Sequence, residues 1–510
     1  MSISQPDADR RLLPRWRASE ATISTAELAS TSTVQKEAEP DAHFEERKLE
    51  WEHGHSVEVA AELVASGIAL GRLNEVEPAV RMLADNASDA TPSIRAVARR
   101  ALGERPTRPT ESPRLRPERL DPTLIYSRIS ALRRHVHLHP RDAYAWVDLA
   151  RLYTILGQTA SAERAIRIAI RLAPEDRFVL RSAVRYFVHV EDPPAAQRLL
   201  NGARATRVDP WLIAAEIAVS QVANRRSLTA SIGQRGLDHS QWTPRSSSEL
   251  AGALGTLLLE DGATHKARQF FRRSLEDPTE NAIAQAQWAS QRTSGLVVPA
   301  PLFEQPTTYE AQALRARLDG HWEVAISSSW EWADFEPTSS RPLMMGSYVA
   351  SVVYGDGATV LEFSERGLSA EPHHPGLLNN KAVGLAYLGR VSEAISILAK
   401  VAIDASPQFI QPALYATTGL LAFRAGDFAT GRELYERAAA HPYTKRDRDV
   451  RILALWHLAL EEALARTDQA EAAAARAERA SKDTKLAEVA ALRKRLVGAK
   501  SEAHGARSRH

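Results

Sequence analysis

HVHLHP sets His135, His137 and His139 at alternate positions, the sequence's nearest approach to a metal cluster. On a helix an i, i+2, i+4 series spans too wide an arc for one site, so only His135 and His139 converge and no third ligand joins them. They also precede Pro140 at an expected helix C-terminus, where imidazolium complements the helix dipole, and they are read as structural. His373 and His374 in EPHHP are read as loop residues on the same grounds. Gly355-Asp356-Gly357 lacks the third glycine and the preceding strand of a dinucleotide-binding turn. No G-x-x-x-x-G-K-[ST], H-E-x-x-H or G-x-S-x-G occurs in the 510 residues. With no cysteine, thiolate nucleophiles, thiolate metal sites and disulfides are excluded. No cofactor and no metal is expected, and the chain is read as non-enzymatic.

A second chemistry is open to the arginines between residues 95 and 185. Arg164, Arg167 and Arg171 fall at i, i+3 and i+7, one face of a helix, where phosphate contacts would make binding salt-dependent. A solvated outer face explains the same spacing. Nucleic-acid binding or regulation through this Arg-rich region therefore stands as the alternative function. The whole chain gives it no global field, since 65 basic and 63 acidic residues leave a formal charge of +2.

These side chains must be positioned by helices. Apolar residues make up 44% and charged residues 25%, ordinary for a soluble protein, and Ala, Leu, Arg and Glu favour helix. No apolar run reaches signal-peptide or membrane-spanning length, so no membrane contact and a cytoplasmic location are expected.

The organising stretch is Ala143–Asp176. Trp146, Leu149, Ala150 and Tyr153 share one helical face, and Ala162, Ile166, Ala169 and Ile170 form the stripe of a second helix. Gly157 is free to take the left-handed turn between them, and Pro174 stops the second helix. This stretch resembles a tetratricopeptide repeat unit, with Ala150 and Ile166 in place of the usual Gly and Phe. The resemblance implies an all-α fold, an α-solenoid of antiparallel helix hairpins wound into a superhelix, here in two arrays.

The second array carries the stronger periodicity. Pro337, Pro372, Pro407 and Pro442 recur every 35 residues, and Gly320, Gly355, Gly389 and Gly426 precede them at spacings of 35, 34 and 37. Ala325, Val360, Ala394 and Gly431 follow those glycines by five residues each time. The expected organisation is a mostly disordered segment (1–50), a helical extension (51–103), a Pro/Arg-rich linker (104–122), a first array (123–294) and a Pro-rich, strand-like strap (295–307). A second array (308–482) and a C-terminal capping helix with a tail (483–510) follow. The helix begun by NAIAQAQWASQRT shows no obvious mate.

Repeat arrays of this kind bind peptides or helices along a concave face lined by the first helix of each unit. The corresponding side chains here are Tyr144, Val147 and Arg151, then Met345 and Val349, then Asn379, Val383 and Tyr387, then Leu420 and Arg424. Only Asn379, Asn380 and Arg424 approach the composition of a carboxylate clamp. An apolar groove for an amphipathic helix or extended segment of a protein partner is expected, unless tight superhelical winding or the chain's own strap buries it.

Overall fold

In the computed structural model of the protein, the repeat glycines make the turns their register implies. Gly157, Gly262, Gly320, Gly355, Gly389 and Gly426 have φ between 66° and 88°, the left-handed region that side chains with a Cβ adopt only at a cost. Glu191, Asn224 and Arg466 take φ of 59°, 50° and 53° at the turns of three further hairpins.

The structure describes residues 10–19, 40–70, 72–85, 98, 101–102, 122–445 and 447–507. The expected linker over 104–122 lies almost wholly outside them, as do 1–9 and 20–39 of the segment expected to be mostly disordered. Among the described residues the regular structure is helical and no strand occurs. None of the helices is long and apolar enough to cross a membrane.

Two compact units divide the chain. The first comprises residues 11–153 and 158–278. It begins with α1 (Pro40–His53), α2 (Val57–Leu70) and α3 (Glu77–Asp85), which pack in succession around Phe44, Leu63, Val76, Val80 and Leu83. After α4 (Pro122–Leu138) come α5 (Ala143–Ile155), α6 (Thr159–Leu172), α7 (Arg177–His189) and α8 (Pro193–Gly202). They are followed by α9 (Pro210–Val222), α10 (Ala230–Asp238), α11 (Pro244–Glu260) and α12 (Thr264–Ser274). Asp176, Asp192, Asp209 and Thr243 cap α7, α8, α9 and α11 by accepting from main-chain N–H groups of the first turn. Pro193, Pro210 and Pro244 stand in those first turns, where a missing N–H costs nothing. The first helices α7, α9 and α11 stack on one another in series, while α8 and α12 pair with α7 and α11 as hairpins. That arrangement is an α-solenoid, in which each hairpin buries its stripe on its neighbours.

The second unit comprises residues 279–510 with Arg10 and residues 154–157. Its helices are α13 (Glu280–Ser290), α14 (Tyr309–Leu318), α15 (Trp322–Phe335), α16 (Ser340–Val349), α17 (Gly357–Ala370) and α18 (Pro375–Tyr387). They continue as α19 (Val391–Leu398), α20 (Gln411–Arg424), α21 (Phe428–Ala440), α22 (Arg448–Ala465), α23 (Ala470–Ala480) and α24 (Glu488–Arg507). First helices α14, α16, α18, α20 and α22 stack in order, so this unit too is a solenoid of antiparallel hairpins. The chain divides at Pro278–Thr279, ahead of the strap, because the expected mateless helix, α13, packs against α14.

The strap itself differs from the strand-like expectation. Ala300–Glu304 is a turn of 3₁₀ helix with Phe303 buried, as are Leu296 and Val298. The Phe303 carbonyl accepts from Thr308 Oγ1 (2.9 Å) and Gln312 Nε2 (2.6 Å), so side chains take the place of a ladder partner.

At the far end α24 lies on the second unit. Glu488 accepts from Arg317 Nε (2.9 Å) and Tyr348 Oη (3.0 Å). Residues Ala350–Tyr354 form a π-helical turn after α16, and Arg495 Nη1 donates to the Ser351 and Val352 carbonyls at 2.7 and 2.8 Å. The guanidinium thus satisfies carbonyls at the distorted turn.

Candidate interaction surface

Within the first unit, the first-helix face carries a segment of the chain itself. Residues 11–18 have no regular secondary structure, yet Leu12, Pro14 and Trp16 are buried while Arg11, Leu13, Arg15 and Arg17 are half-buried. A period of two is that of an extended backbone. The order of contacts agrees. Ser19 meets α5, Trp16 meets α7, and Leu12 lies among residues of α9 and α11. Two helix spacings of about 8–10 Å are crossed in seven residues, whose full reach is about 24 Å.

Each contact is specific. Asp148 accepts from Ser19 N at 2.9 Å and from Ser19 Oγ at 2.5 Å. Trp16 packs edge-on against Tyr186, with ring centroids 6.1 Å apart and planes at 80°. Leu12 joins Ile213, Ile217, Leu250 and Leu254 in one cluster. Its Cδ1 lies 2.6 Å from where a Cβ on Gly252 would stand, so a glycine makes the room it fills. Arg11 forms an ion pair with Glu260. The expectation of disorder is therefore corrected over residues 10–19. The residues that order them lie more than a hundred positions away and leave no local periodic signature beyond LLPRW itself.

Arg10, in the second unit, is also buried. Its Nε and Nη2 donate to the two Glu310 oxygens, both at 2.8 Å, and Nη2 reaches Asn281 Oδ1 at 2.8 Å. Gln285 Oε1 accepts from Nη1, and Gln285 Nε2 donates to the Arg10 carbonyl at 3.1 Å. Glu310 also pairs with Arg341 at 2.6 Å. Fork-on-carboxylate pairing of this kind is both strong and geometrically selective.

The residues expected to line an open groove divide into two sets. Val147, Met345, Val349, Asn379, Val383 and Leu420 are buried in the chain's own packing, so an open apolar groove at those positions is corrected. Met345, Val349, Val383 and Leu420 lie inside the apolar core through which the stacked helices of the second unit meet. Tyr144, Arg151 and Tyr387 are half-buried and Arg424 is exposed. Tyr144 Oη donates to Asp176 Oδ2 at 2.8 Å, and burial together with the Asp176 charge pushes the phenol up. Arg151 Nε donates to the Trp16 carbonyl at 3.3 Å, and burial draws its guanidinium below the ordinary value. Arg424 pairs with Glu461 at 3.2 Å. Asn379 Nδ2 donates to Asn380 Oδ1 (3.1 Å), and Asn380 Nδ2 to Ser347 Oγ (2.8 Å), so these amides form an internal network in place of a carboxylate clamp.

The histidines and arginines singled out earlier are also placed. His135 Nε2 stands 2.8 Å from Asp142 Oδ2 and the His135 and His139 rings are 4.8 Å apart. Burial raises the Asp142 carboxyl, but hydrogen bonds from Ala145 N and His135 outweigh it and leave it lowered. Among the described residues no three His, Asp or Glu side chains are grouped to hold a metal. Arg167 pairs with Glu163 (2.8 Å), Arg177 with Asp209 (2.5 Å) and Arg181 with Glu249 (3.0 Å). Carboxylates thus hold Arg177 and Arg181 inside the fold, while Arg164, Arg167 and Arg171 are exposed on α6.

The chain is similar to tetratricopeptide repeat proteins of solved structure. A repeat protein from Parabacteroides merdae is 14% identical, spans 54% of this chain and 97% of its own, and superposes with a TM-score of 0.27. The Cut9–Hcn1 complex of APC/C gives 11% identity over 94% of this chain and 97% of that one, with a TM-score of 0.36. Yeast Tom70 gives 12%, 94%, 96% and 0.30 for the same quantities. Likeness at this level carries no argument, and the fold rests on the helix stacking described above. No family model and no curated protein sequence matches the chain.

Proposed function

We propose that the protein is an interaction scaffold that holds an extended or helical segment of a protein partner along the concave face lined by its first helices. The observation that carries this reading is the seating of residues 11–19 across α5, α7, α9 and α11. A face that accepts main-chain and side-chain groups of an unstructured segment in register has the means to read a peptide: pockets for alternate side chains and donors for carbonyls. Tyr144, Arg151, Tyr387 and Arg424 are the members of the expected partner set that reach the surface. The pairing of Arg177 and Arg181 with buried carboxylates withdraws those two arginines from any phosphate-binding face.

Affinity purification of the full chain from its source cell, under native salt, tests the reading. A stoichiometric protein partner is expected, and its recovery should fall when Tyr387 and Arg424 are both replaced by alanine. Recovery of no stoichiometric partner overturns the scaffold assignment.

A further inference from the structure

Residues 11–19 are held as an extended peptide is held in a groove. Alternate side chains are buried, a main-chain carbonyl is read by Arg151, and the end of the segment is held by Asp148. Gly252 leaves space on α11 that the Leu12 side chain fills. Side-chain hydrogen bonds hold its backbone and its terminal residue at one end, and Arg11 pairs with Glu260 at the other.

We propose that residues 11–19 are an internal ligand, which closes the first-helix face of the first unit until a partner segment of the same chemistry displaces it. The inference rests on the scaffold reading and names its ligand class. The partner segment is extended, carries a cation next to a leucine, has an indole four residues after that leucine, and offers an N–H and hydroxyl pair three residues further on for Asp148. Covalent attachment holds the internal segment at an effective concentration on the order of millimolar. A competing segment of equal intrinsic affinity therefore meets a face that is only fractionally open, and its apparent affinity falls by that fraction. Contacts beyond the length of residues 11–19, or loss of the internal anchors, restore it.

The test uses a fluorescein-labelled peptide, RRLLPRWRAS, which is residues 10–19. Its binding to the full chain is followed by fluorescence anisotropy and compared with a full-length variant carrying Leu12→Ala and Trp16→Ala. The variant should bind the peptide at least tenfold more tightly than the wild type. A peptide with alanine at the leucine of residue 12 and at the tryptophan should bind neither protein. Equal affinity in both proteins, or no binding to a variant whose far-UV circular dichroism matches the wild type, overturns the proposal. A second measurement stands independently of the variant's folding. Hydrogen exchange of residues 11–19 in the wild type should accelerate in excess heavy-isotope RRLLPRWRAS, and unchanged protection overturns the proposal. Neither assay uses the natural partner, so their failure leaves the scaffold reading standing, and failure of partner capture leaves the displaceable docking of residues 11–19 but removes the partner that would displace them.

Discussion

Arg151 Nε donates a hydrogen bond to the main-chain carbonyl of Trp16 across 3.3 Å, joining residues 135 positions apart. Trp16 turns its indole to Tyr186 while its carbonyl faces α5, so a single residue is held by two successive first helices. Burial lowers the Arg151 guanidinium from its ordinary value, an effect that the Asp148 charge offsets only in part. The energetic weight of the segment therefore rests on its apolar anchors, Leu12 and Trp16, each 1% exposed.

Trp16→Ala should release the segment without unfolding the hairpins. An aromatic-to-alanine change in a closed core costs about 3–5 kcal/mol, but here the loss is limited to the free energy with which residues 11–19 dock. Hydrogen exchange of those residues should rise by at least tenfold, with protection of α9 core amides retained. Loss of α9 protection in parallel would show that the segment is an obligatory core element instead.

The buried pair in the second unit should respond asymmetrically. Glu310 holds both Arg10 and Arg341, so Glu310→Ala strands a buried guanidinium and should cost about 3–5 kcal/mol. Arg10→Ala leaves Glu310 with Arg341 and should cost less. Urea denaturation of both variants checks the order, and a larger loss for Arg10→Ala would contradict the pairing.

Two glycines should fail for different reasons. A Cβ on Gly346 would fall 2.2–2.6 Å from the Phe363 ring, which is stacked on Trp330 at 3.7 Å. Gly346→Ala should cost about 1–3 kcal/mol or more through overpacking. Gly389 has nothing within 4 Å of a Cβ but a φ of 76°, so Gly389→Ala carries only left-handed strain, about 1–2 kcal/mol. Thermal unfolding should place the Gly346 variant lower, and the reverse order would sink the packing account.

His457 on α22 gives stability a pH dependence. It is 2% exposed, and burial, with the Arg495 charge, pushes its pKa well below the ordinary value. The unfolded chain takes up a proton below about pH 6.5 that the fold refuses. Its contribution is therefore full above that pH and lost as the pH falls, by up to about 1.4 kcal/mol per unit. Glu461, one turn on, is raised by burial, so its contribution runs the other way and is lost as pH rises above its ordinary range. Comparing wild type with His457→Leu at pH 7.5 and 5.5 separates the two. The variant should lose about 1 kcal/mol less across that span, and equal losses would exclude the histidine as the cause.

The sequence by itself determined the hairpins. A glycine that must turn left-handed and a proline that must stop a helix act within a few residues of themselves, so the recurrence of the prolines every 35 residues and of the glycines every 34 to 37 was legible without tertiary information. Turns at Glu191, Asn224 and Arg466 were less visible, because surrounding packing holds those residues at positive φ without the glycine that would announce it. Which faces stay open was decided only by the tertiary structure. Met345, Val383 and Leu420 sit where a groove was expected and are buried by the chain's own stacking, because helical periodicity marks an apolar position but not the element that covers it. The fate of residues 10–19 was settled in the same way. The alternation of buried and half-buried side chains within residues 11–19 becomes meaningful only opposite Asp148, Tyr186 and Gly252, which hairpin stacking brings within reach from 129 to 240 positions away.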